Sequence, residues 1–386
     1  MAWPRASRLR FWTLVVTVTL GVQAPAAWAL GTATGARWLT AALPLALSLP
    51  YFLGLQNPFH ERVALGMRAV LFPFFSWWVG CLVFVPLWPV AALASTFGLL
   101  EAHLATLVTL GVCLAVGVRA TVREPRIARR TLSLPGWPTA LDGLRIAHLS
   151  DLHCGAYAPE ARVARWVART NALAPDLVAV TGDLIAGGSA HVAAVARALG
   201  GLRAPLGVWV SLGNHDYFGR VDALVVALEA AGLRVLRNAG LVLAHAGESF
   251  WLAGVDDTWA DRADVAAALA ARPAGAPSVV MAHDPELFEE AAALGATLVL
   301  SGHTHGGQVA VPFLARWLTP ARVITRFPLG LYRLGASTLY VTTGAGTTGP
   351  PVRLGAAPEI ALLELRAAWK PAEQEAGDRT LGTGEP

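Results

Sequence analysis

Long unbroken apolar runs fill the first third of the chain, and short apolar runs separated by polar loops fill the rest. Phe11–Leu30, Trp38–Leu55, Ala69–Pro89 and Gly98–Val118 are each about long enough to cross a bilayer core of roughly 30 Å. Four in succession are too many for the buried core helices of one soluble domain. Trp77 and Trp78, and the cluster Leu87–Trp88–Pro89, fit a span and its aromatic edge. The pattern predicts a membrane anchor of about four transmembrane helices over residues 1–120. The first run has a second reading as a signal peptide. Arg5, Arg8 and Arg10 precede it, and Ala27–Trp28–Ala29 has the small-residue character of a cleavage site.

Residues 121–143 read as a basic, proline-containing linker, with Pro135 and Pro138. From Leu144 the period changes. Leu144–Leu149, Leu177–Thr181, Gly207–Leu212, Phe250–Val255, Val279–Ala282 and Thr297–Leu300 read as buried strands, and Thr338–Thr343 and Glu359–Leu365 as closing strands. Between them Pro159–Ala172, His191–Leu199, Val221–Ala231, Ala263–Ala271 and Pro285–Leu294 read as helices. The alternation predicts an α/β catalytic domain with βαβ units over residues 144–366. The polar, Gly-containing tail, 367–386, reads as disordered. Two apolar, aromatic segments, Val311–Leu318 and Phe327–Tyr332, read equally as a lip for acyl chains or as core.

Charge orients the anchor. The formal net charge is +4, and Lys370 is the only lysine, so the positive charge is arginine. Arg5, Arg8 and Arg10, then Arg62 and Arg68, then Arg119, Arg123, Arg126, Arg129 and Arg130 occupy alternate ends of the apolar runs, while the other two loops share only Arg37. This places both ends of the unit, and the domain after it, on the cytoplasmic side of a cell (inner) membrane. No basic helix interleaved with aromatics occurs, so no nucleic-acid partner is expected. The three cysteines, Cys81, Cys113 and Cys154, are too few for a disulfide framework. Cys154 reads as a loop filler rather than a ligand or nucleophile.

Polar motifs follow the strands. Leu149-Ser-Asp-Leu-His153, Thr181-Gly-Asp183, Leu212-Gly-Asn-His-Asp216, Met281-Ala-His-Asp284 and Ser301-Gly-His-Thr-His-Gly-Gly307 each sit where a strand ends. Sites in α/β sheets form at the carboxyl ends of strands, so these loops should converge. Their Asp, His and Asn side chains make a mixed oxygen and nitrogen donor set, which suits Mn, Fe or Zn better than Ca or Mg. The predicted metal ligands are Asp151, His153, Asp183, Asn214, His283, His303 and His305. Two carboxylates against two divalent metal ions leave a positive remainder that suits a phosphate and a hydroxide. His60, His103, His148, His191 and His245 carry no such context and read as ordinary surface or core histidines.

Asp-x-His, Gly-Asp, Gly-Asn-His-Asp, a lone His and Gly-His-Thr-His, in that order, resemble the signature of calcineurin-like metallophosphoesterases, over about Leu144–Leu365. Gly330-Leu-Tyr-Arg333 and Pro351-Val-Arg-Leu354 resemble the membrane-associated bacterial branch, similar to UDP-2,3-diacylglucosamine pyrophosphatase-type enzymes. The resemblance implies a four-layer α/β/β/α sandwich. It implies one metal on Asp151, His153, Asp183 and His305 and another on Asp183, Asn214, His283 and His303, with Asp183 bridging. His215 then stands at the leaving group. Many relatives orient that histidine with an aspartate three residues after the bridging one. Ala186 occupies that position here, which leaves Asp216 or a backbone carbonyl to do it.

The expected function is hydrolysis of a phosphodiester or pyrophosphate, lipid-linked as in UDP-diacylglucosamine and the lipid A pathway, by attack of a hydroxide shared between two metals. His215 and Asp216 are the candidate catalytic residues. The alternatives are a phosphodiesterase acting on soluble nucleotides, or a noncatalytic membrane sensor, against which the full ligand set and His215 argue. A transporter is disfavoured because Glu101 and His103 are the exceptions in runs otherwise almost free of ionisable residues.

Overall fold

A computed structural model describes residues 5–54, 65–98, 101–121, 123–310, 314–349 and 351–368. The tail from Pro371 to Pro386 and His60 lie outside the described residues.

Each of the four apolar runs is helical: α1 (Arg5–Ala33), α2 (Leu39–Gly54), α3 (Leu65–Thr96) and α4 (Ala102–Thr121). The stretch Phe72–Thr96 of α3 is, among the described residues, the one helix both long and apolar enough to cross a bilayer. Its 25 residues span about 37 Å at 1.5 Å per residue. The helices pack through small residues. A Cβ on Gly117 of α4 would lie 1.9 Å from the carbonyl oxygen of Ser76 in α3, so only glycine permits this crossing. Buried Gln23 of α1 donates to Ser48 Oγ of α2 (2.9 Å) and accepts from Trp77 Nε1 of α3 (3.0 Å). That polar network ties α1 into the bundle.

The rest of the chain forms two six-stranded sheets. The first contains β1 (Arg126–Leu134), β2 (Arg145–Leu149), β3 (Leu177–Thr181), β4 (Val208–Ser211), β5 (Arg234–Val235) and β12 (Glu359–Ala367), in the order β1-β12-β2-β3-β4-β5. The second contains β6 (Ala239–His245), β7 (Glu248–Gly254), β8 (Ser278–Met281), β9 (Leu298–Ser301), β10 (Gly330–Leu334) and β11 (Ser337–Val341), in the order β10-β11-β9-β8-β7-β6. Three apolar layers hold them. Ile146, Ala179, Trp209, Phe250, Met281, Leu300 and Leu363 fill the space between the sheets. α5 (Glu160–Asn171), α6 (Val192–Leu199) and α7 (Val221–Ala230) contribute Val163, Trp166, Val195 and Leu228 to the core on the outer face of the first sheet. α8 (Val265–Leu269) and α9 (Phe288–Ala293) contribute Val265 and Phe288 on the outer face of the second. The order of layers is helix, sheet, sheet, helix.

One expectation is corrected. Residues 121–143 are not a free linker, because β1 pairs in parallel with β12 from Arg126↔Glu359 to Leu134↔Ala367. Ala128, Leu132 and Leu134 are buried, whereas Arg126 and Arg130 on the same face and Arg129 on the opposite face are exposed. The arginines mask the alternation that marks a strand. Trp137 and Leu141 are likewise buried core residues. The helical unit is also not joined by a tether alone. Phe74, Phe75 and Val79 of α3 and Ala120 of α4 form one apolar cluster with Val352, against which Tyr157, Val309 and Leu354 pack.

Candidate metal centre

β2, β3 and β4 run parallel as neighbours in the first sheet, and β8 and β9 do so in the second. Their carboxyl ends carry Asp151 and His153, Asp183, Asn214, His283, and His303 and His305 respectively. Six of these seven are buried, and His303 is half-buried. The loops are laced by main-chain bonds. Asp151 N donates to Gly182 O (3.1 Å), His153 N to Asp183 O (2.9 Å) and Gly302 N to His283 O (3.1 Å). Across the two sheets, His303 N donates to Asp151 Oδ1 (3.1 Å).

The backbone is strained where these side chains leave it. Asp151 (φ 55°), His153 (45°), Asp183 (53°), His303 (69°) and His305 (53°) are all left-handed. Non-glycine residues adopt this region rarely, and such strain concentrates at functional sites. Gly213 is required for a related reason. A Cβ there would lie 2.5 Å from Asp183 Oδ1 and 2.6 Å from Asp183 N.

The donor atoms fall into two groups that share Asp183 Oδ2. In the first, His153 Nε2 lies 3.0 Å from His305 Nε2 and 3.5 Å from Asp183 Oδ2, and His305 Nε2 lies 3.3 Å from Asp151 Oδ1. The ligand atoms of these four residues are all within 4.8 Å of one another. In the second, His283 Nε2 lies 3.4 Å from Asp183 Oδ2 and 3.3 Å from His303 Nδ1, and His303 Nδ1 lies 3.0 Å from Asn214 Oδ1. Donor atoms 3.0–3.5 Å apart are close to the edges expected around a cation with bonds of about 2.1 Å. Imidazole nitrogens and carboxylate oxygens converging in a buried space fit a divalent metal, because a cation relieves the repulsion among their lone pairs. Burial pushes the Asp151 carboxyl up to about 6. The same burial acts on Asp183, yet the charges of His283 and His153 hold it well below the ordinary range.

Outer contacts aim the ligands. His283 Nδ1 faces Thr181 O at 2.8 Å, which leaves Nε2 for the site. Behind His305 stands Arg353, 3% exposed. Its Nη1 donates to His305 O (2.7 Å), its Nε to Gly346 O (3.1 Å), and its Nη2 lies 2.9 Å from His305 Nδ1. Its backbone N–H donates to Ala120 O at the end of α4 (2.9 Å). Residue-type reasoning assigned Arg353 no role, since only the run Pro351–Leu354 marked it.

His215 lies beside the first group, its ring 4.6 Å from that of His153 at 85°. Its backbone N–H donates to Asp183 Oδ1 (2.9 Å). Its Nδ1 meets Ala186 O at 2.8 Å, and its Nε2 meets Thr348 Oγ1 at 3.2 Å. The residue that lacks an orienting carboxylate therefore supplies its own carbonyl. Asp216 does something else. Its carboxylate accepts from the N–H groups of Gly213 (3.0 Å), Leu184 (2.9 Å) and Ile185 (3.3 Å), which fixes the loops after β3 and β4. Burial pushes that carboxyl up to about 7. Cys154 is fully buried, and burial pushes its thiol up to about 12, which makes it an inert filler.

The calcineurin-like phosphoesterase family matches residues 144–307. The chain is 33% identical over 236 residues to "Uncharacterized metallophosphoesterase YkuE" of Bacillus subtilis, covering 60% of this chain and 82% of that protein. It is 31% identical over 225 residues to "Phosphodiesterase YaeI" of Escherichia coli, covering 57% and 82%. It is 31% identical over 277 residues to "Transmembrane protein with metallophosphoesterase domain" of Danio rerio, covering 68% of this chain. The match spans 62% of the length of that relative.

Proposed function

The chain belongs to the calcineurin-like phosphoesterase family and is a metal-dependent phosphoester hydrolase, and we propose that it acts at a membrane on a lipid-linked phosphodiester or pyrophosphate. One observation carries the reading. The wall of the metal centre is continuous with the helical unit: the guanidinium of Arg353 holds the carbonyl of His305 while its backbone N–H is held by Ala120 of α4. Val352, beside it, packs on Phe74, Phe75 and Val79 of α3. A reaction centre fixed to a membrane span works at a set height above the bilayer, where lipid headgroups concentrate the substrate. The name of the Escherichia coli relative favours a diester bond, and the resemblance noted above favours a UDP-diacylglucosamine-like pyrophosphate. The arginine pattern supports a multi-pass anchor with the domain on the cytoplasmic side.

In this reading Asp151, His153, Asp183 and His305 hold one divalent cation and Asp183, Asn214, His283 and His303 a second. The chemistry such a pair supplies when bound is acidification of a water and neutralisation of charge at the phosphoryl oxygens. The remaining work falls to side chains. His215 Nδ1–H donates to Ala186 O, which turns Nε2 toward the site with Thr348 Oγ1 at its edge. A proton at Nε2 is then placed for the departing oxygen. Arg353 and Asp216 hold the loops rather than touch substrate. The test compares kcat/KM of the full chain in nanodiscs on lipid-linked and water-soluble pyrophosphates. The expected result favours the lipid-linked ester, and a wide preference for the soluble one overturns the reading.

A further inference from the structure

The segment from Leu314 to Arg326 inverts the usual order of a surface loop. Its small residues point inward: Ala315 is 9% and Ala321 4% exposed. Its large apolar side chains point outward, with Leu314 at 43%, Trp317 at 61%, Leu318 at 53%, Val323 at 90% and Ile324 at 76% exposure. Contiguous exposed apolar side chains of this size mark an interaction surface. The other apolar segment read from sequence, Phe327–Tyr332, goes the opposite way. Phe327 and Tyr332 pack against the core residue Phe288 and each other.

The exposed strip is held firmly beside the metal centre. Buried Thr319 donates its hydroxyl to Gly306 O at 2.8 Å, one residue from His305. Thr304 Oγ1, between His303 and His305, donates to Pro328 O at 2.6 Å, closing the other end. The strip is also cationic. No acidic residue occurs between Glu290 and Glu359. Arg316 lies over the Tyr332 ring and donates to Leu331 O, and Arg322 donates to Arg316 O and Arg326 O. Among the described residues neither has a carboxylate partner, whereas Arg326 is paired with Glu289 at 2.8 Å. Five residues before Leu314, Val309 packs in the cluster that joins the domain to α3 and α4.

From these placements we infer that Leu314–Ile324 is a membrane-contact strip: Trp317, Leu318, Val323 and Ile324 enter the interfacial layer of an anionic lipid surface, with Arg316 and Arg322 on its headgroups. Apolar residues with unpaired arginines and no acids are the composition that binds there. A second protein would require a complementary surface that nothing about the strip implies. The inference deepens the lipid-substrate reading and rests on the same membrane placement.

The test is a spin label at Val323→Cys in the full chain, reconstituted one chain per nanodisc so that a second copy cannot cover the strip. Cys81, Cys113 and Cys154 are buried, so labelling is confined to the new thiol. A label at Val226→Cys on α7, 65% exposed in the native residue, is the aqueous control. In discs containing anionic lipid, the label at 323 should be several-fold less accessible to a water-soluble relaxing agent than the label at 226. The double variant Arg316→Gln/Arg322→Gln should weaken that protection, as should zwitterionic lipid. Equal accessibility at the two positions overturns the inference. So does protection that arises only when a lipid-linked substrate is added, which makes the strip a substrate clamp. Protection without preference for lipid-linked esters leaves the strip standing and sinks the substrate reading. Preference without protection does the reverse.

Discussion

Replacing Arg353 by Met removes a guanidinium while keeping most of its apolar stem. The carbonyls of His305 and Gly346 lose their charged donor. A buried acceptor left unsatisfied costs about 1–3 kcal/mol, so the two together cost roughly 2–6 kcal/mol. The opposing effect is relief of a buried cation. Burial lowers the Arg353 guanidinium to about 10 from its ordinary value near 12.5, a cost of about 3 kcal/mol that the variant no longer bears. The net change in global stability is therefore small, between about 1 kcal/mol of gain and about 3 kcal/mol of loss. The local loss is larger, since His305 is no longer held in its left-handed backbone with its ring against the site. Removing such an outer contact lowers metal affinity by about 10–100-fold. The assay is manganese titration of metal-stripped parent and Arg353→Met, beside chemical denaturation of both without metal. Arg353→Lys should recover only part of the affinity, since an ammonium cannot grip both carbonyls as a planar fork does. Unchanged metal affinity in Arg353→Met refutes the reasoning, and so does a stability loss well beyond about 3 kcal/mol with affinity intact.

His215→Ala should keep its metal and lose about 10²–10⁴-fold in turnover, with a smaller loss on esters whose leaving group has a low pKa. Metal analysis and rates on two esters check this, and equal losses on both argue against a proton at Nε2. Fully buried His148, Nε2 at 2.8 Å from Thr181 Oγ1, is lowered to about 3 by burial. Its unfolded value is about 6.5, so only the unfolded state takes up the proton as pH falls below that. Stability is thus fully present above about 6.5 and is lost toward about 3, amounting to about 2 kcal/mol between pH 7 and pH 5. Denaturation of parent and His148→Gln at both pH values should show a shallower loss in the variant, and parallel losses would contradict it.

The ligand loops were legible because each polar motif interrupts an apolar strand, and the strands placed their ends together. What stayed hidden is physical in each case. β1 carries exposed arginines on both of its faces, and β6 is half-exposed along its length, so neither presents the apolar run that marks a buried strand. The group that holds His215 is the main-chain carbonyl of Ala186, which no reading of side-chain types can locate. Arg353 acts on His305 across 48 residues of sequence, so only the folded chain connects them. Asp216 illustrates the converse. It sits inside the strongest motif, and its carboxylate is taken up by three backbone N–H groups of the surrounding loops.

The central claim is that Asp151, His153, Asp183, Asn214, His283, His303 and His305 make one dinuclear centre for phosphoester hydrolysis. Titrating manganese into the metal-stripped full chain, while bound metal and hydrolysis of bis-p-nitrophenyl phosphate are followed together, tests it most directly. Turnover should be absent without metal and should reach its maximum as the second equivalent binds, and Asp183→Ala should bind neither equivalent tightly. Full turnover in the stripped protein, or a maximum at a single equivalent, would contradict the account.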